Sequence, residues 1–336
     1  MKNNDKITMG HGGGGQLTSE LLNSTIFVKL ANEHLDKADD GAVLDCPFGQ
    51  LCFTTDSYVI DPIFFPGGDI GKLAVCGTVN DLAVMGAIPR WLSLSLIISE
   101  GLSFTSLNRI IDSIAAATKE ANVQIVTGDT KVIESYNSKE EIYINTAGIG
   151  FFVHEKKPDI KAIVPGDKII INGPIADHGI AIMCVRESLG FETKIKSDAG
   201  ALNSLVKEVM DAELDIRFMR DATRGGLAML LVDIAEATNL GIEINENAIP
   251  INASTRHAAE LLGLDPLTTA NEGKCVFVVS AEDADRTLEI CRSHPLGQKS
   301  KIIGTVTGNN KVEMITDIGG RRIITRPLGK ELPRIC

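Results

Sequence analysis

The sequence predicts an α+β protein of two domains. Its 336 residues exceed what one hydrophobic core usually organises. Strand-like and helix-like segments are mixed without regular βαβ alternation, which speaks against a doubly wound sheet. A polar break, His154-Glu155-Lys156-Lys157-Pro158-Asp159, interrupts the pattern near the middle. Hydrophobic residues make up 44% and charged residues 23%, so both parts have enough apolar material for a core. A net charge of -11 leaves no basic surplus for a nucleic-acid backbone. The phosphates of a single nucleotide remain accessible to backbone N–H groups and a metal ion. The N-terminal residues carry no apolar core of signal-peptide length. Apolar stretches such as residues 91–98 contain serines and are too short to cross a bilayer. A cytoplasmic protein without membrane attachment is expected.

Along the chain, a short strand-like piece leads into His11-Gly12-Gly13-Gly14-Gly15 and then a helix start capped by Thr18 or Ser19. A glycine run entering a helix suits either a phosphate site, through free N–H groups and the helix dipole, or a plain N-terminal arm. It is not a Walker A loop, because no Gly-Lys-Ser/Thr follows. Residues 51–55 read as a strand ending at Asp56-Ser57, and residues 71–86 as a buried helix holding Asn80 and Asp81. A carboxylate in such a helix is costly unless paired or bound to a cation. Residues 108–122 read as an amphipathic helix. Residues 123–127 read as a strand stopping at Gly128-Asp129-Thr130-Lys131, and residues 142–152 as another strand. After the Pro165-Gly166-Asp167 turn, strands are expected at 168–172, 274–280 and 311–316, and helices at 203–212, 226–238 and 281–293. From Arg326 the ending RPLGKELPRIC holds two prolines and a glycine, which disfavours regular structure and predicts a flexible tail. Eleven extended residues span up to roughly 36 Å, enough to swing between two sites.

The seven cysteines, at positions 46, 52, 76, 184, 275, 291 and 336, show no Cys-x-x-Cys spacing, so neither a zinc site nor a redox pair is indicated. Most internal ones sit in apolar segments and read as small buried hydrophobes. Cys336 stands apart at the chain end, either as an incidental thiol or as a working group. Its own α-carboxylate raises the thiol pKa while Arg334 lowers it, and the sequence leaves the balance open. Acids recur at element ends: Asp39-Asp40, Asp56, Asp81, Asp129 and Asp221. Singly each suits a cap or turn; together with the glycine loop they suit Mg²⁺ and nucleotide phosphates.

Several of these stretches carry a resemblance. They are Ala38-Asp39-Asp40-Gly41-Ala42, Thr54-Thr55-Asp56, Phe65-Pro66 through Gly71-Lys72 to Asn80-Asp81 and Gly86-Ala87-Ile88-Pro89, Gly128-Asp129-Thr130, and Asp221-Ala222-Thr223-Arg224-Gly225-Gly226. Over nearly the whole chain they resemble the aminoimidazole-ribonucleotide synthetase superfamily, which also holds thiamine-monophosphate kinase and selenophosphate synthetase. The resemblance implies a two-domain fold in which an N-terminal domain forms a homodimer interface, with Mg-ATP between the domains. It implies an N-terminal arm with the glycine-rich loop at residues 1–37, an ATP-binding and dimerisation domain at 38–153, a C-terminal α+β domain at 160–325, and the tail at 326–336. It places Asp40, Asp56, Asp81, Asp129 and Asp221 near Mg²⁺. It places ATP against Gly12, Gly13, Gly14, Gly15, Lys72, Asn80, Gly128 and Thr130.

Within that superfamily, the glycine opening, Asn271-Glu272-Gly273-Lys274 before a strand, and the ending Pro333-Arg334-Ile335-Cys336 resemble the HypE family of carbamoyl dehydratases in NiFe-hydrogenase maturation. Gly13 departs from a pattern that often carries serine there. The family resemblance implies that a partner carbamoyltransferase, HypF, loads a carbamoyl group on Cys336. The chain then dehydrates it with ATP to a thiocyanate, and the cyanide passes to iron on a HypC–HypD complex. It further implies Glu272 as general base and Lys131 as its electrostatic partner or proton relay. An ATP-dependent kinase or synthetase of a diffusible molecule, and a nucleotide-binding scaffold, are the alternative readings.

Overall fold

The structure, a computed structural model, describes residues 15–21, 42–46, 49–134, 140–187, 194–327 and 335–336. Gly12, Gly13, Gly14, Asp39, Asp40 and Arg334 lie outside these residues. The described residues form two large sheets, one in each half of the chain.

The first sheet is built around β2 (Gly49–Tyr58) and β7 (Ile142–Phe151), paired antiparallel from Leu51↔Phe151 to Tyr58↔Ile144. With β1 (Ala42–Cys46), β5 (Ile88–Ser99) and β6 (Gln124–Ile133) the order is β1-β2-β7-β5-β6. Both central strands alternate buried and accessible residues, so one face packs on helices and the other does not. β5 and β6 run parallel, which requires a crossover; the helix at Phe104–Ala121 supplies it. That helix is amphipathic, capped by Ser103 accepting from Ser106 N at 3.1 Å, and it buries Ile110, Ile114, Ala117 and Ala121. A two-stranded turn, β3 (Phe64–Phe65) with β4 (Gly68–Asp69), precedes the more buried helix at Ile70–Val84. Asp69 caps this helix by accepting from Lys72 N at 3.0 Å. Thirteen of its residues are buried, because it lies between the first sheet and the second half of the chain.

The second sheet has the order β14-β13-β10-β12-β8-β11-β9. Its most buried strands are β8 (Lys168–Ile171) and β11 (Cys275–Val279), the latter buried throughout and apolar at every position. β9 (Ile216–Asp221), β10 (Gly241–Asn245), β12 (Lys301–Thr307), β13 (Val312–Ile315) and β14 (Arg321–Ile323) complete it. Alternate residues feed two cores: Ile169, Ile171, Val276 and Val278 pack with the helix at Gly226–Thr238, while Ile170, Phe277 and Val279 pack with those at Asn203–Asp211 and Ala284–Ser293.

Three expectations change. Thr18 and Ser19 fall inside the helix Gln16–Leu21 and do not cap it. β2 runs on through Asp56, whose backbone partner is Thr146. β6 runs on through Gly128-Asp129-Thr130-Lys131, which pair with Leu94 to Ile97 of β5. A Cβ at Gly128 would meet Leu94 O at 2.2 Å, so the glycine serves close strand approach and not a turn.

Asn80 ties the halves together. Its Nδ2 donates to Gly200 O at 3.1 Å and Glu272 O at 3.4 Å, and its Oδ1 accepts from Leu202 N at 2.7 Å. Replacing Asn80 by Ala strands three buried backbone groups. A loss of about 2–4 kcal/mol is expected in urea unfolding, against a few tenths for an exposed control such as Glu120→Ala.

Candidate functional site

Between the sheets lies a cleft of about 230 Å³ lined by Thr54, Thr55, Asp56, Gly77, Asp81, Asp221, Thr223, Arg224, Glu272 and Cys336. Each element delivers its residues by its own periodicity. Thr54 and Asp56, two apart on β2, share a face. Gly77 and Asp81, four apart on the buried helix, lie one turn above the other. Asp221 closes β9, and Thr223 and Arg224 follow before the next helix. Gly77 is required by close approach: a Cβ there would sit 2.2 Å from the Tyr58 hydroxyl.

The polar groups engage one another. Thr54 Oγ1 donates to Asp81 Oδ2 at 3.0 Å, and Arg224 Nη2 lies 3.7 Å from Asp56 Oδ1. Glu272 is the group most removed from water, 3% exposed. Its segment is pinned on every side. Asn271 donates to Ala222 O at 2.6 Å and accepts from Ala176 N at 2.7 Å. Glu272 N donates to Asp198 Oδ1 at 3.2 Å, and Lys274 Nζ pairs with Asp198 Oδ2 at 2.9 Å in a buried ion pair. A Cβ at Gly273 would meet Asp198 O at 2.1 Å, so the turn admits only glycine. Burial first, and then Asp56, Asp221 and Asp198, push the Glu272 carboxyl well above the carboxylate range, with Arg224 opposing.

The chain end enters this cleft. Ile335 and Cys336 are buried, Val59 N donates to the Cys336 main-chain oxygen at 3.2 Å, and His178 Nε2 lies 2.7 Å from Ile335 O. Cys336 lines the cleft together with Glu272 and Arg224. Burial is the largest effect on its thiol and raises its pKa; Arg224 opposes, and Glu272 and Asp56 add to the rise. Docked, Cys336 is a thiol and not a thiolate, and Arg224 is the cation beside it.

Of the residues expected at the site, the structure brings together Asp56, Asp81, Asp221, Glu272 and Cys336. Asn80 is consumed by the backbone bonds described above. Lys72 Nζ reaches Gly67 O at 3.4 Å and does not line the cleft. Gly15 precedes the short helix whose Gln16 N donates to Pro327 O. Gly128, Asp129, Thr130 and Lys131 lie on β6, which is three strands from Asp56 in the order β2-β7-β5-β6. At one strand spacing each, that is about 14 Å. There Lys131 Nζ donates to Asp129 Oδ1 at 3.1 Å, both side chains exposed. Roles for Arg224, Thr223, Asp198 and Lys274 were not read from the sequence. Arg224 stood in a quoted motif, a cation among acids, and that was the available signal.

Among the described residues no three His, Cys, Asp or Glu side chains form a ready metal cage. Mg²⁺ is usually held by one or two carboxylates, with phosphates and water completing its shell. Asp56, Asp81 and Asp221 around a cleft whose negative charge lifts Glu272 fit that mode and not a protein-only cage.

Two family models match, AIR synthase related protein N-terminal domain over residues 38–152 and C-terminal domain over residues 164–317. The chain is 47% identical to a putative hydrogenase expression/formation protein of Methanocaldococcus jannaschii, over 98% of this chain and 100% of that one. It is 45% identical to the carbamoyl dehydratase HypE of Rhizobium leguminosarum bv. viciae, over 99% of this chain and 96% of that one. Among solved structures it is similar to the HypE–HypF complex, with TM-score 0.86 and 44% identity, covering 91% of this chain and 99% of that one. It is similar also to HypE in complex with ATP, with TM-score 0.82 and 40% identity, covering 98% and 100%.

A carboxyl raised by its folded surroundings opposes folding once the unfolded chain ionises. Below about pH 4 the group is protonated in both states, so removing it changes nothing. As pH climbs above that value the unfolded state releases the proton first, and folded stability falls relative to a neutral residue. Glu272→Gln is therefore expected to raise the urea midpoint at pH 7 to 8, with the gain shrinking toward pH 4. An equal or lower midpoint for the variant at pH 8 contradicts this electrostatic picture.

Proposed function

The chain belongs to the AIR synthase related family and, within it, to the HypE carbamoyl dehydratases, and we propose that it dehydrates an S-carbamoyl group carried on its own Cys336 to a thiocyanate at the expense of ATP. The observation that supports this most directly is the position of Cys336: it lines the cleft together with Glu272, Arg224 and the acids Asp56, Asp81 and Asp221. A kinase or synthetase of a diffusible molecule has no use for a chain end in that place.

The residues perform the steps as follows. Asp56, Asp81 and Asp221 hold Mg²⁺, which supplies charge neutralisation for the nucleotide phosphates when bound. Arg224 adds a fixed cation beside the thiocarbamate, near where negative charge grows on its oxygen. The carbonyl oxygen takes the terminal phosphoryl group of ATP and ADP leaves. Glu272 accepts a proton from the amide nitrogen. The C–O bond then breaks, phosphate departs with the oxygen, and that phosphate takes the second nitrogen proton as C≡N forms. Hydroxide would be a poor leaving group; phosphate is a good one. Cys336 is the carrier throughout; docked, its sulfur is buried and its thiol pKa is raised, and both disfavour attack on a carbamoyl donor. Loading takes place with the tail withdrawn, on a carbamoyltransferase such as the HypF that accompanies HypE in a solved complex. The cyanide then passes to an iron-bearing acceptor, which the family resemblance gives as HypC–HypD.

Lys131 and Asp129 enter from a second copy. β6 is an edge strand exposed along its whole length, with Val126 59% and Val132 67% exposed, and nothing among the described residues covers it. Phe53, Trp91 and Ile97 are also exposed on this sheet. A dimer in which β6 of each copy pairs with the opposite, β1 edge of the other closes both edges and brings a partner's β6 to the β2 side of the sheet, toward the cleft.

Two outcomes check these readings. With the carbamoyl donor present, mass spectrometry of the C-terminal peptide is expected to show a carbamoyl adduct on Cys336 that loses one water when ATP and Mg²⁺ are added. Glu272→Gln should slow that loss by about 10²–10⁴-fold while leaving the adduct intact; an adduct whose mass ATP never changes in wild-type protein sinks the dehydratase reading. For the dimer, co-expressing Glu272→Gln chains with Lys131→Ala chains should restore roughly a quarter of wild-type activity, since half the dimers are mixed and one of their two sites is intact. No restoration means that both residues act within one chain.

A further inference from the structure

His178 has no part in the chemistry above, yet it is fully buried beside the chain end. It lies in the first turn of the helix Asp177–Arg186, with the ring of Phe65 edge-on at 5.5 Å. Its two nitrogens have one hydrogen-bond partner each: Nδ1 faces Ser197 Oγ at 2.7 Å and Nε2 faces Ile335 O at 2.7 Å. A carbonyl only accepts, so Nε2 carries the hydrogen and Nδ1 accepts from the Ser197 hydroxyl. Burial lowers the imidazole pKa, in keeping with a neutral ring. Ser197 is itself fixed: its N donates to Pro66 O at 2.7 Å and its Oγ accepts from Ala199 N at 3.1 Å. The chain Pro66–Ser197–His178–Ile335 thus sets one tautomer and one direction for Nε2–H.

The other contacts of the chain end are less directional. The Ile335 side chain joins an apolar cluster that includes Ile63, Phe65 and Ile182. Val59 N meets the Cys336 main-chain oxygen at 3.2 Å, a longer bond at a half-exposed position. Without the chain end, a fully buried imidazole N–H would point into the space left by Ile335 and lose its acceptor. Such a group is retained where something arrives to be bound.

We propose that His178, oriented by Ser197, is the positioning residue that seats the carrier arm: its Nε2–H holds the Ile335 carbonyl and so keeps the Cys336 sulfur beside Glu272 and Arg224. The seat recognises a penultimate peptide carbonyl, an apolar side chain before the terminal cysteine, and the terminal main-chain oxygen. The purpose of the seat rests on the carrier reading of Cys336; the docking itself does not.

The test reads docking apart from catalysis. In the unmodified full-length chain, iodoacetamide labelling of Cys336 is followed by mass spectrometry, with buried Cys76 and Cys275 as internal reporters of unfolding. His178→Leu, which fills the space without a donor, is expected to label Cys336 about tenfold faster, the effect of one buried hydrogen bond, while Cys76 and Cys275 stay protected. His178→Gln, which restores an N–H near the Nε2 position, is expected to stay near the wild-type rate. The proposal is overturned if Leu leaves the Cys336 rate unchanged or if Gln matches Leu. If Leu also exposes Cys76 and Cys275, Ser197→Ala decides: faster labelling at Cys336 alone supports the seat, and no change overturns it. Single-turnover dehydration of carbamoylated protein separates the two readings. Wild-type protein that protects Cys336 but never dehydrates its adduct retains the seat and loses the dehydratase.

Discussion

Glu272 sits where its charge is least welcome. Water is excluded, Asp56, Asp221 and Asp198 surround it, and Arg224 is the nearby cation that compensates. Around this group much of the architecture is arranged. Asn271 and Gly273 fix the backbone on either side, the Asp198–Lys274 pair holds the turn, and Asn80 reaches from the first half to brace its carbonyl. A carboxyl in such a site is a stronger base than one in water, once it is ionised. The same surroundings disfavour the ionised form until cations enter with the nucleotide. The site thus trades stability for reactivity, a common bargain at functional positions.

The docked sulfur obeys the same logic with the opposite consequence. Burial that keeps Cys336 beside the base also keeps it protonated, and a thiol is a poor nucleophile. One location cannot serve both for loading the sulfur and for transforming what it carries. A carrier on a short chain end resolves the conflict by having two environments: a solvated one where thiolate forms, and a dry one where proton transfer and phosphate departure proceed without competing water. Among the described residues the contacts that hold the end are accordingly few: two main-chain hydrogen bonds and the apolar side chain of Ile335. Their sum has to remain small enough to reverse.

How much of this was legible in sequence follows from the range of each signal. The mostly apolar helix containing Asn80 and Asp81 declared itself by composition and length, and the amphipathic helix before β6 by local periodicity. The acids Asp56, Asp81 and Asp221 were visible because a carboxylate near a strand end or inside an apolar helix is locally conspicuous. Gly128 misled, since a Gly-Asp pair reads as a turn, whereas the ladder to Leu94 imposes close strand approach instead. His178 carried no signal at all: its partners are 19 and 157 residues away, and a histidine in an apolar helix resembles any satisfied core histidine. Asn80 was the reverse case, a conspicuous polar residue whose amide is spent on Gly200, Leu202 and Glu272.

The distance between Lys131 and Glu272 then becomes informative. The family resemblance implies one site for both, yet the strand order separates the elements that carry them. Within a single chain, neither side-chain rotation nor a modest loop movement crosses two intervening strands of a paired sheet. The ladder from β2 through β7 and β5 to β6 holds that spacing by backbone bonds along ten-residue strands. A rigid separation between residues of one reaction is natural if the site is shared between two copies, because the edge that is far in one chain is near in its neighbour. The uncovered apolar edge of β6 and the exposed Trp91 and Phe53 on the same sheet are the surface such a neighbour would cover.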